Sequence, residues 1–414
     1  MKKAVLVSVF GIDKLSKEDA EISLNELTNL CSTAGISCIS RIIQKKNPPD
    51  PAFLIGKGKV FEIKETAQEL KADLIVFDNF LKPIQQRNLE REVGKIVIDR
   101  TRVILDIFAM RAHSKEGKLQ VERAQATYRL SNLSHSEIDL DSQTGGIGTR
   151  RGPGEKKLED DKRKLRDQIA RLDAEILKVR QRRDTQRKNR SKQDLPEAAI
   201  AGYTNAGKST LLAALSKSAV YADDKLFATL DPLTRKIKLP NGRTILLTDT
   251  VGFINKLPHN LIAAFRSTME EILRASCILH IIDGSSPDRE KQKQTVLEVL
   301  KEIGAESIPV ISVYNKSDKM DVFWRSALKA EGACIICAKT LEGTGEMLQK
   351  IEEIIEPKHL YKELTFDCRR QNLLNKIRSL SNIKSQIYEG NLIKISFECS
   401  NVSWEKIKQL LKQS

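Results

Sequence analysis

The sequence has no apolar run long enough to span a membrane, because none approaches the roughly 18 to 20 residues that a membrane-crossing helix needs. Its first residues, MKKAVLVSVFGID, contain only a short apolar stretch without a small-residue cleavage site, so we predict a β-strand there rather than a signal peptide. Cysteines are few and odd in number, seven in 414 residues, which favours a reducing cytoplasm over a disulfide framework. The five histidines are dispersed and indicate no metal cluster.

Two of the cysteines, Cys334 and Cys337, form a lone CxxC inside the apolar run ACIICA. A zinc or redox site would require a second pair or an exposed turn. We therefore predict a buried strand at this position.

Acidic residues are too few to balance the basic ones: 55 against 70 leave a net charge of +15 and a pI near 9.4. Residues 150–192 hold 17 basic and 8 acidic side chains, so about a tenth of the chain carries +9 of the excess. A concentrated positive stretch points to nucleic acid or to an acidic membrane surface. A solvated helix face is the alternative.

The length of the chain suits two to four domains. Residues 1–112 alternate apolar runs with helical stretches, a pattern typical of a parallel α/β sheet. The predicted strands are KAVLVSVF, GISCISRII, ADLIVF and KIVID, and the predicted helices between them are Lys17–Cys31, Lys59–Leu70 and Ile84–Val93.

Residues 113–193 are predicted to form a helical hairpin. Thr101–Leu133 is mostly helix-forming, and a second helix of about 35 residues, roughly 50 Å long, is predicted over Glu155–Arg190. Between them lies TGGIGTRRGPG, whose five glycines allow a close backbone approach and whose Arg150 and Arg151 can fork onto phosphate oxygens; a flexible connector is the alternative. The second helix has the apolar seam of a coiled coil at Leu158, Leu165, Ile169, Leu172, Ile176 and Val179.

The strand EAAIA runs into the loop GYTNAGKS and then the helix TLLAAL, which is the GxxxxGK[ST] phosphate loop in its required setting. In such a loop backbone N–H groups surround the α- and β-phosphates, Lys208 reaches the β- and γ-phosphates, and Ser209 coordinates Mg²⁺. The predicted nucleotide-binding residues here are Gly202, Tyr203, Thr204, Asn205, Ala206, Gly207, Lys208 and Ser209.

The stretch IPVISVYNKSD, about 105 residues further on, indicates that the bound nucleotide is GTP rather than ATP, because it matches the NKxD signature of GTPases. The Asp318 carboxylate can accept hydrogen bonds from guanine N1–H and its 2-amino group, whereas adenine would leave the carboxylate unpaired, at a cost of about 10⁴ in selectivity. A later CAK stretch resembles the SAK element of GTPases, with Cys in place of Ser. The predicted base-binding residues are Asn315, Lys316, Ser317, Asp318, Cys337, Ala338 and Lys339.

Two further stretches are predicted to sense the γ-phosphate and to order with GTP. DTVG after the strand RTILLT matches DxxG, and FATLDPLTR contains Thr229, the best candidate for a second protein ligand to Mg²⁺ beside Ser209. We predict Lys208, Thr229, Asp249 and Gly252 as the catalytic residues. The nucleotide-binding residues predicted in these stretches are Phe227, Ala228, Thr229, Leu230, Asp231, Asp249, Thr250, Val251 and Gly252.

The residue after Gly252 is Phe253, where many signalling GTPases carry a glutamine that orients the attacking water. A benzyl group cannot hydrogen-bond water, so we predict slow hydrolysis by the isolated protein. A partner, or a rearranged residue of this chain, must complete the site, and such help is worth about 10³ to 10⁵ in rate. Asn205 is also a candidate ligand for K⁺, as in some GTPases with the same GxxNxGKS loop.

Several of these stretches together resemble the bacterial HflX family. They are DRTRVILDIFAMRAHSKEGKLQVERAQ, GGIGTRRGPGEKKLEDDKRKLRDQI, GYTNAGKSTL, FATLDPLTR, DTVGFI and NKSD, which follow the family's order of elements from about residue 1 to 357. The fold class is accordingly α/β. We expect an N-terminal α/β domain over 1–112, a helical hairpin with a glycine-rich basic tip over 113–193, a GTPase domain over 194–357 and a small C-terminal α/β domain over 358–414.

Members of that family bind the large ribosomal subunit, and some split stalled ribosomes under stress. The resemblance therefore implies GTP as substrate, Mg²⁺ as cofactor, and the large subunit and its ribosomal RNA as partners; we expect a cytoplasmic monomer. The hairpin tip would enter ribosomal RNA, which would also explain the basic stretch. Lys156 and Lys157 replace the family's Thr-Gln, and one arginine is additional. The predicted RNA-binding residues are Arg150, Arg151, Lys156 and Lys157.

Three alternatives stay open. A GTPase of ribosome assembly or RNA modification would share the nucleotide site and differ in its target. A constitutive RNA-binding protein with structural nucleotide is compatible with Phe253, although Thr229, Asp249 and Gly252 favour a working switch. A protein partly at the membrane surface would bind anionic lipid through the basic helix.

Overall fold

The structure is a computed structural model. It describes residues 1–11, 16–134, 153–190, 195–216, 226–256, 266–355 and 360–399, with single positions between 404 and 411. The chain divides into two compact units. The first comprises Met1–Lys238 and Gly242–Gly345, and the second comprises Leu239–Asn241 and Glu346–Ser414. The domain boundaries at residues 112, 193 and 357 stay predictions.

The first unit begins with a four-stranded parallel sheet in the order β2–β1–β3–β4. Six successive residues of β1 are buried, as expected of a strand with both faces covered. The parallel α/β arrangement predicted for this region is thus confirmed. Its elements are β1 (Lys2–Phe10), α1 (Lys17–Thr33), β2 (Ile36–Lys45), α2 (Lys57–Glu69), β3 (Leu74–Phe77), α3 (Pro83–Val93) and β4 (Ile96–Asp99).

Two helices follow β4, where the sequence indicated one mostly helical stretch. They are α4 (Arg100–Arg111) and α5 (Lys115–Ser134), and the chain leaves helical geometry between them. Ser114 explains the restart, because its hydroxyl accepts a 2.9 Å hydrogen bond from the Gly117 N–H and so caps the first turn of α5.

A long helix, α6 (Pro153–Arg190), lies alongside α5. The ion pair between Arg123 and Asp173, at 2.5 Å, links the two helices. All six seam residues are buried or half-buried, whereas Leu177 outside the seam is 55% exposed. The predicted coiled-coil seam is therefore the buried one. The predicted RNA-binding residues Arg150 and Arg151, and the side chains of Lys156 and Lys157, lie outside the described part of the chain.

The second sheet of this unit has six strands in the order β10–β9–β8–β5–β7–β6, and only the edge strand β6 is antiparallel to its neighbour. The carboxyl ends of β5, β7, β8 and β9 meet at one edge, where open α/β sheets bind ligands. The elements are β5 (Glu197–Gly202), α7 (Lys208–Ser216), β6 (Leu233–Lys238), β7 (Thr244–Asp249), α8 (Arg266–Arg274), β8 (Cys277–Asp283), α9 (Arg289–Glu302), β9 (Val310–Asn315), α10 (Val322–Ala330) and β10 (Cys334–Ile335).

The second unit contains a three-stranded antiparallel sheet in the order β11–β13–β12, with a core that includes Ile377, Ile395 and Phe397. The sequence did not predict β12, because its side chains are mostly exposed or half-buried and leave little apolar pattern. After β13 the structure describes only a few positions, which are helical. The elements are α11 (Thr344–Ile355), β11 (Leu360–Asp367), α12 (Gln371–Leu380), β12 (Asn382–Glu389) and β13 (Leu392–Cys399).

No helix within the described ranges combines the length and apolar character that crossing a bilayer requires.

Candidate nucleotide site

The phosphate loop connects β5 to α7, and Lys208 is the first residue of that helix. Gly207 has a φ of 95°, and a Cβ atom there would lie 2.1 Å from Nδ2 of Asn315. Only glycine fits this position, because a side chain would be strained and would collide with Asn315. Asn205, also at positive φ (61°), is exposed at the mouth of the loop.

Lys208 lies inside the loop with its side chain buried. Its Nζ donates to the carbonyl oxygens of Gly202 at 3.1 Å and Tyr203 at 2.7 Å. Burial lowers the pKa of Lys208 to about 8, and Asp249 partly opposes that shift. Anionic phosphates beside this ammonium group would restore its charge.

Three oxygen-bearing side chains converge next to the loop. The Ser209 hydroxyl is 2.7 Å from the Thr229 hydroxyl and donates to Oδ2 of Asp249 at 2.6 Å. Oδ1 of Asp249 is buried and has no hydrogen-bond partner among the described residues, and burial raises the pKa of this carboxyl against the lowering effect of Lys208. Hard oxygen donors around a desolvated carboxylate fit Mg²⁺, which would supply the missing partner.

The DTVG stretch follows β7, and its Gly252 lies next to Thr204 and Lys208. Thr250 is tied to the sheet by a 2.7 Å hydrogen bond from its hydroxyl to the carbonyl of Ile200. The neighbouring Val251 is buried. These contacts bring the predicted γ-phosphate sensor to the same end of the loop as the candidate metal ligands.

Phe253 does not face this end of the site. Its N–H donates to the carbonyl of Gly202 at 3.1 Å, and its carbonyl accepts from the Thr204 N–H at 2.8 Å. Its side chain is 1% exposed within the main hydrophobic cluster of the unit. The position after Gly252 is therefore a packing position in this structure.

The base end is organised around Asn315, at the end of β9. Its Nδ2 donates to the carbonyl of Ala206 at 2.8 Å, and its Oδ1 accepts from the Ala338 N–H at 2.9 Å. The thiol of Cys337 donates to Oδ1 of Asp318 at 3.3 Å. Asn315 thus joins the phosphate loop to the CAK stretch, and Cys337 orients the carboxylate predicted to read guanine.

The remaining base-end residues surround this pair. Lys316 has a positive φ (64°), and its Nζ donates to Asp283 at 2.7 Å. Ser317 is buried and its N–H donates to the carbonyl of Ile336 at 3.1 Å, while Lys339 is exposed. The sequence reasoning missed Asp283, although the polar end of the apolar strand CILHIID was a signal equivalent to that of Asp249.

A buried ionic network connects the phosphate loop to the N-terminal sheet. The Tyr203 hydroxyl donates to Glu26 and accepts a 2.7 Å hydrogen bond from the Asn255 N–H. Arg100, 3% exposed, pairs with Glu26 and, at 2.9 Å, with Asp78. Burial alone would raise the pKa of Asp78, but the charges of Arg100 and of Lys256 lower it below its ordinary value.

The structure thus brings the predicted residues together in two groups, a phosphate end and a base end. Phe227 and Asp231, on either side of Thr229, contact Phe108 of α4 and the backbone just before α5, while Ala228 and Leu230 lie in the same segment. Sequence reasoning missed Glu26, Asp78 and Arg100, because the three residues are distant from one another in the chain and no local pattern marks their pairing. The nucleotide roles of all these residues stay predictions.

Known families match successive parts of the chain. A family described as "GTP-binding GTPase N-terminal" matches residues 21–109, "GTP-binding GTPase Middle Region" matches residues 111–190, and "50S ribosome-binding GTPase" matches residues 197–316.

Similar proteins over nearly the whole chain are each named GTPase HflX. That of Lacrimispora saccharolytica is 45% identical and covers 94% of this chain and 91% of its own length. That of Caldanaerobacter subterraneus is 41% identical and covers 99% of this chain and 94% of its own length. That of Escherichia coli is 36% identical and covers 98% of this chain and 95% of its own length.

Among solved structures, a GTP-binding protein from Sulfolobus solfataricus in complex with GDP is 25% identical and covers 86% of this chain and 98% of that chain. Its TM-score is 0.43, which is too low to support a conclusion about this chain.

Proposed function

The chain belongs to the HflX family of GTPases, which hydrolyse GTP, and from this premise we propose that it is a magnesium-dependent switch acting on the large ribosomal subunit. In this proposal the GTP-bound protein binds the subunit, its hydrolysis is slow alone and is stimulated there, and binding splits or rescues ribosomes under stress.

The observation that carries the switch is the convergence of Ser209, Thr229 and Asp249. Thr229 comes from the FATLDPLTR stretch and Asp249 from DTVG, yet both side chains reach the Ser209 hydroxyl that opens α7. In this proposal the two segments contact the same cation and the γ-phosphate. Both segments would lose these contacts when the γ-phosphate leaves, so their conformation would depend on whether GTP or GDP is bound. A purely structural nucleotide would not require this convergence.

We propose the following roles. Ser209 and Thr229 hold Mg²⁺, with Asp249 behind them, and the ion when bound neutralises charge on the β- and γ-phosphates. Lys208 binds the same phosphates, and Gly252 presents its N–H to the γ-phosphate. Phosphate-loop residues 202–209 enclose the polyphosphate, while Asn315, Lys316 and Asp318, with Cys337 and Ala338, hold guanine.

The ribosomal role is supported by charge and by the family matched over residues 197–316. The long helix α6 lies within the strongly basic stretch, and neutralisation of RNA phosphates by such residues drives salt-dependent binding. We propose Arg150, Arg151, Lys156 and Lys157 as RNA contacts. We also propose a cytoplasmic monomer with the four domains predicted above.

Potassium is a separate proposal. Asn205 is exposed at the mouth of the phosphate loop, where its amide oxygen would coordinate a monovalent cation held beside the phosphates. Faster hydrolysis in potassium than in sodium buffer would support a K⁺ site, and Asn205→Ala should then remove the difference. Equal rates in the two buffers would exclude it.

Sedimentation of purified large subunits with this protein tests the ribosomal proposal. We expect the protein to co-migrate with the large subunit under GTP or a non-hydrolysable analogue and to stay at the top of the gradient under GDP. Small subunits provide the matched control. Equal co-migration in all nucleotide states would favour constitutive RNA binding, and preferential capture by anionic vesicles would favour the membrane-surface alternative.

A further inference from the structure

The segment Leu226–Asp231, which carries Thr229, is held by two helices outside the nucleotide site. Leu226, Phe227 and Leu230 are buried in the same hydrophobic cluster as α4. The Phe227 ring meets the Phe108 ring edge-on, with centroids 4.7 Å apart and planes at 80°. Phe227 has a φ of 56°, a conformation that a bulky residue adopts only where its surroundings enforce it.

Asp231 makes the second contact, at the start of α5. Its Oδ2 accepts hydrogen bonds from the N–H groups of His113, at 3.0 Å, and Ser114, at 2.7 Å. Its Oδ1 accepts from the Ser114 hydroxyl. The carboxylate therefore lies at the N-terminal end of α5, where free N–H groups and the helix dipole favour negative charge.

Gly117 makes room for this carboxylate. It stands in the first turn of α5, and a Cβ atom there would lie 2.4 Å from Oδ1 of Asp231 and 3.1 Å from the Ser114 hydroxyl. Glycine is unfavourable inside a helix, so its presence requires a local reason. The approach of Asp231 supplies one.

We infer that Ser114, which caps α5, and Gly117 in the first turn of α5 act with Asp231 as positioning residues for Thr229. They fix the segment from its carboxyl side while Phe227 fixes it from the other, so the Thr229 hydroxyl is presented beside Ser209. None of these three residues touches the nucleotide in this assignment; they act through Thr229. The inference deepens the proposed function and rests on it.

The same contact links the nucleotide to the helical pair. The helix α5 lies along α6, and its first turn is bound by the segment that carries a predicted metal ligand. A state of α5 that binds Asp231 more tightly must also favour metal binding at Thr229. Metal binding at Thr229 must in turn favour that state of α5 by the same free energy.

The substitution Gly117→Ala tests whether Gly117 makes room for the Asp231 carboxylate or is merely a structural residue of the helix. Alanine has the higher helix propensity, so a merely structural glycine would be replaced without loss. The added methyl group would instead push the Asp231 carboxylate away. Gly58→Ala is the matched control, because Gly58 also lies in the first turn of a helix and a Cβ atom there meets nothing within 4 Å.

Binding of a fluorescent non-hydrolysable GTP analogue, titrated with Mg²⁺, provides the readout. Loss of an outer partner of a metal ligand costs about 10- to 100-fold in metal affinity, so Gly117→Ala should raise the half-saturating Mg²⁺ concentration at least about tenfold. With GDP, which does not engage Thr229, the shift should be much smaller. Gly58→Ala should match the wild type, and the melting temperature without metal or nucleotide should be retained in both variants.

Two further comparisons make the test decisive. Asp231→Ala should reproduce the Mg²⁺ shift, and the double variant should add little to it, because both changes break one contact. A wild-type Mg²⁺ response in Gly117→Ala, with the analogue still bound, would overturn the inference. Wild-type protein that needs no Mg²⁺ would overturn the proposed magnesium switch instead.

Discussion

Replacing Phe253 with glutamine tests whether the position after Gly252 takes part in chemistry. In many signalling GTPases glutamine there orients water, so a reading by motif alone expects Phe253→Gln to accelerate hydrolysis. The side chain is 1% exposed, however, and its backbone is hydrogen-bonded on both sides to the phosphate loop. Glutamine would therefore enter the hydrophobic cluster and would not reach the γ-phosphate.

The cost can be worked out from this environment. Truncation of a buried phenylalanine costs about 3 to 5 kcal/mol, and a buried amide without partners costs about 1 to 3 kcal/mol. Glutamine retains part of the volume, so we expect a loss of about 4 kcal/mol. For a unit of about 340 residues, with an unfolding entropy of about 0.7 kcal/mol/K, that corresponds to a fall in melting temperature of about 6 °C. Phe253→Leu, which keeps an apolar side chain, should cost only about 1 kcal/mol.

Thermal unfolding and single-turnover GTP hydrolysis, measured on the same samples, provide the assay. We expect Phe253→Gln to melt earlier and to hydrolyse GTP no faster than the wild type at a temperature where both are folded. A variant with the wild-type melting temperature and faster hydrolysis would refute the assignment of Phe253 to the core.

Three further predictions follow from the site. Asp318→Asn should shift preference from guanine towards xanthine nucleotides, measured by competition binding, and unchanged base choice would contradict the role of Asp318. Burial lowers the pKa of Lys208 to about 8 without nucleotide, and phosphates should raise it; GDP affinity should therefore be about tenfold weaker at pH 9 than at pH 7. Lys208→Arg, which stays charged, should flatten that profile, and a flat wild-type profile would contradict the buried lysine. Arg100→Met leaves the carboxylates of Asp78 and Glu26 without their shared cation, so it should lower the free energy of unfolding by about 3 to 5 kcal/mol in urea titrations. A stability within about 1 kcal/mol of the wild type would argue against the network.

The sequence alone predicted the motifs whose functional residues lie close together along the chain. The phosphate loop, DTVG and NKSD each place several functional groups within four to eight residues, and the strand before each of them sets its direction. The coiled-coil seam was likewise predictable, because its period is local.

Contacts between distant segments were not predictable in this way. Asp231 meets Ser114 across 117 positions and Tyr203 meets Glu26 across 177, and no local pattern marks either pair. The burial of Phe253 was missed for a related reason. A motif determines the path of the backbone, but the environment of a side chain depends on distant segments that pack against it. Strand β12 was missed because an edge strand with exposed side chains lacks apolar alternation.

We propose that the ribosome controls this GTPase. The most direct measurement is the GTP turnover rate of the purified protein with and without large ribosomal subunits, with small subunits as the control. We predict slow turnover alone and a rise of about 10³ or more with large subunits, since a partner that completes such a site can supply that much. Turnover that is the same with large subunits as without them would contradict ribosomal control of hydrolysis.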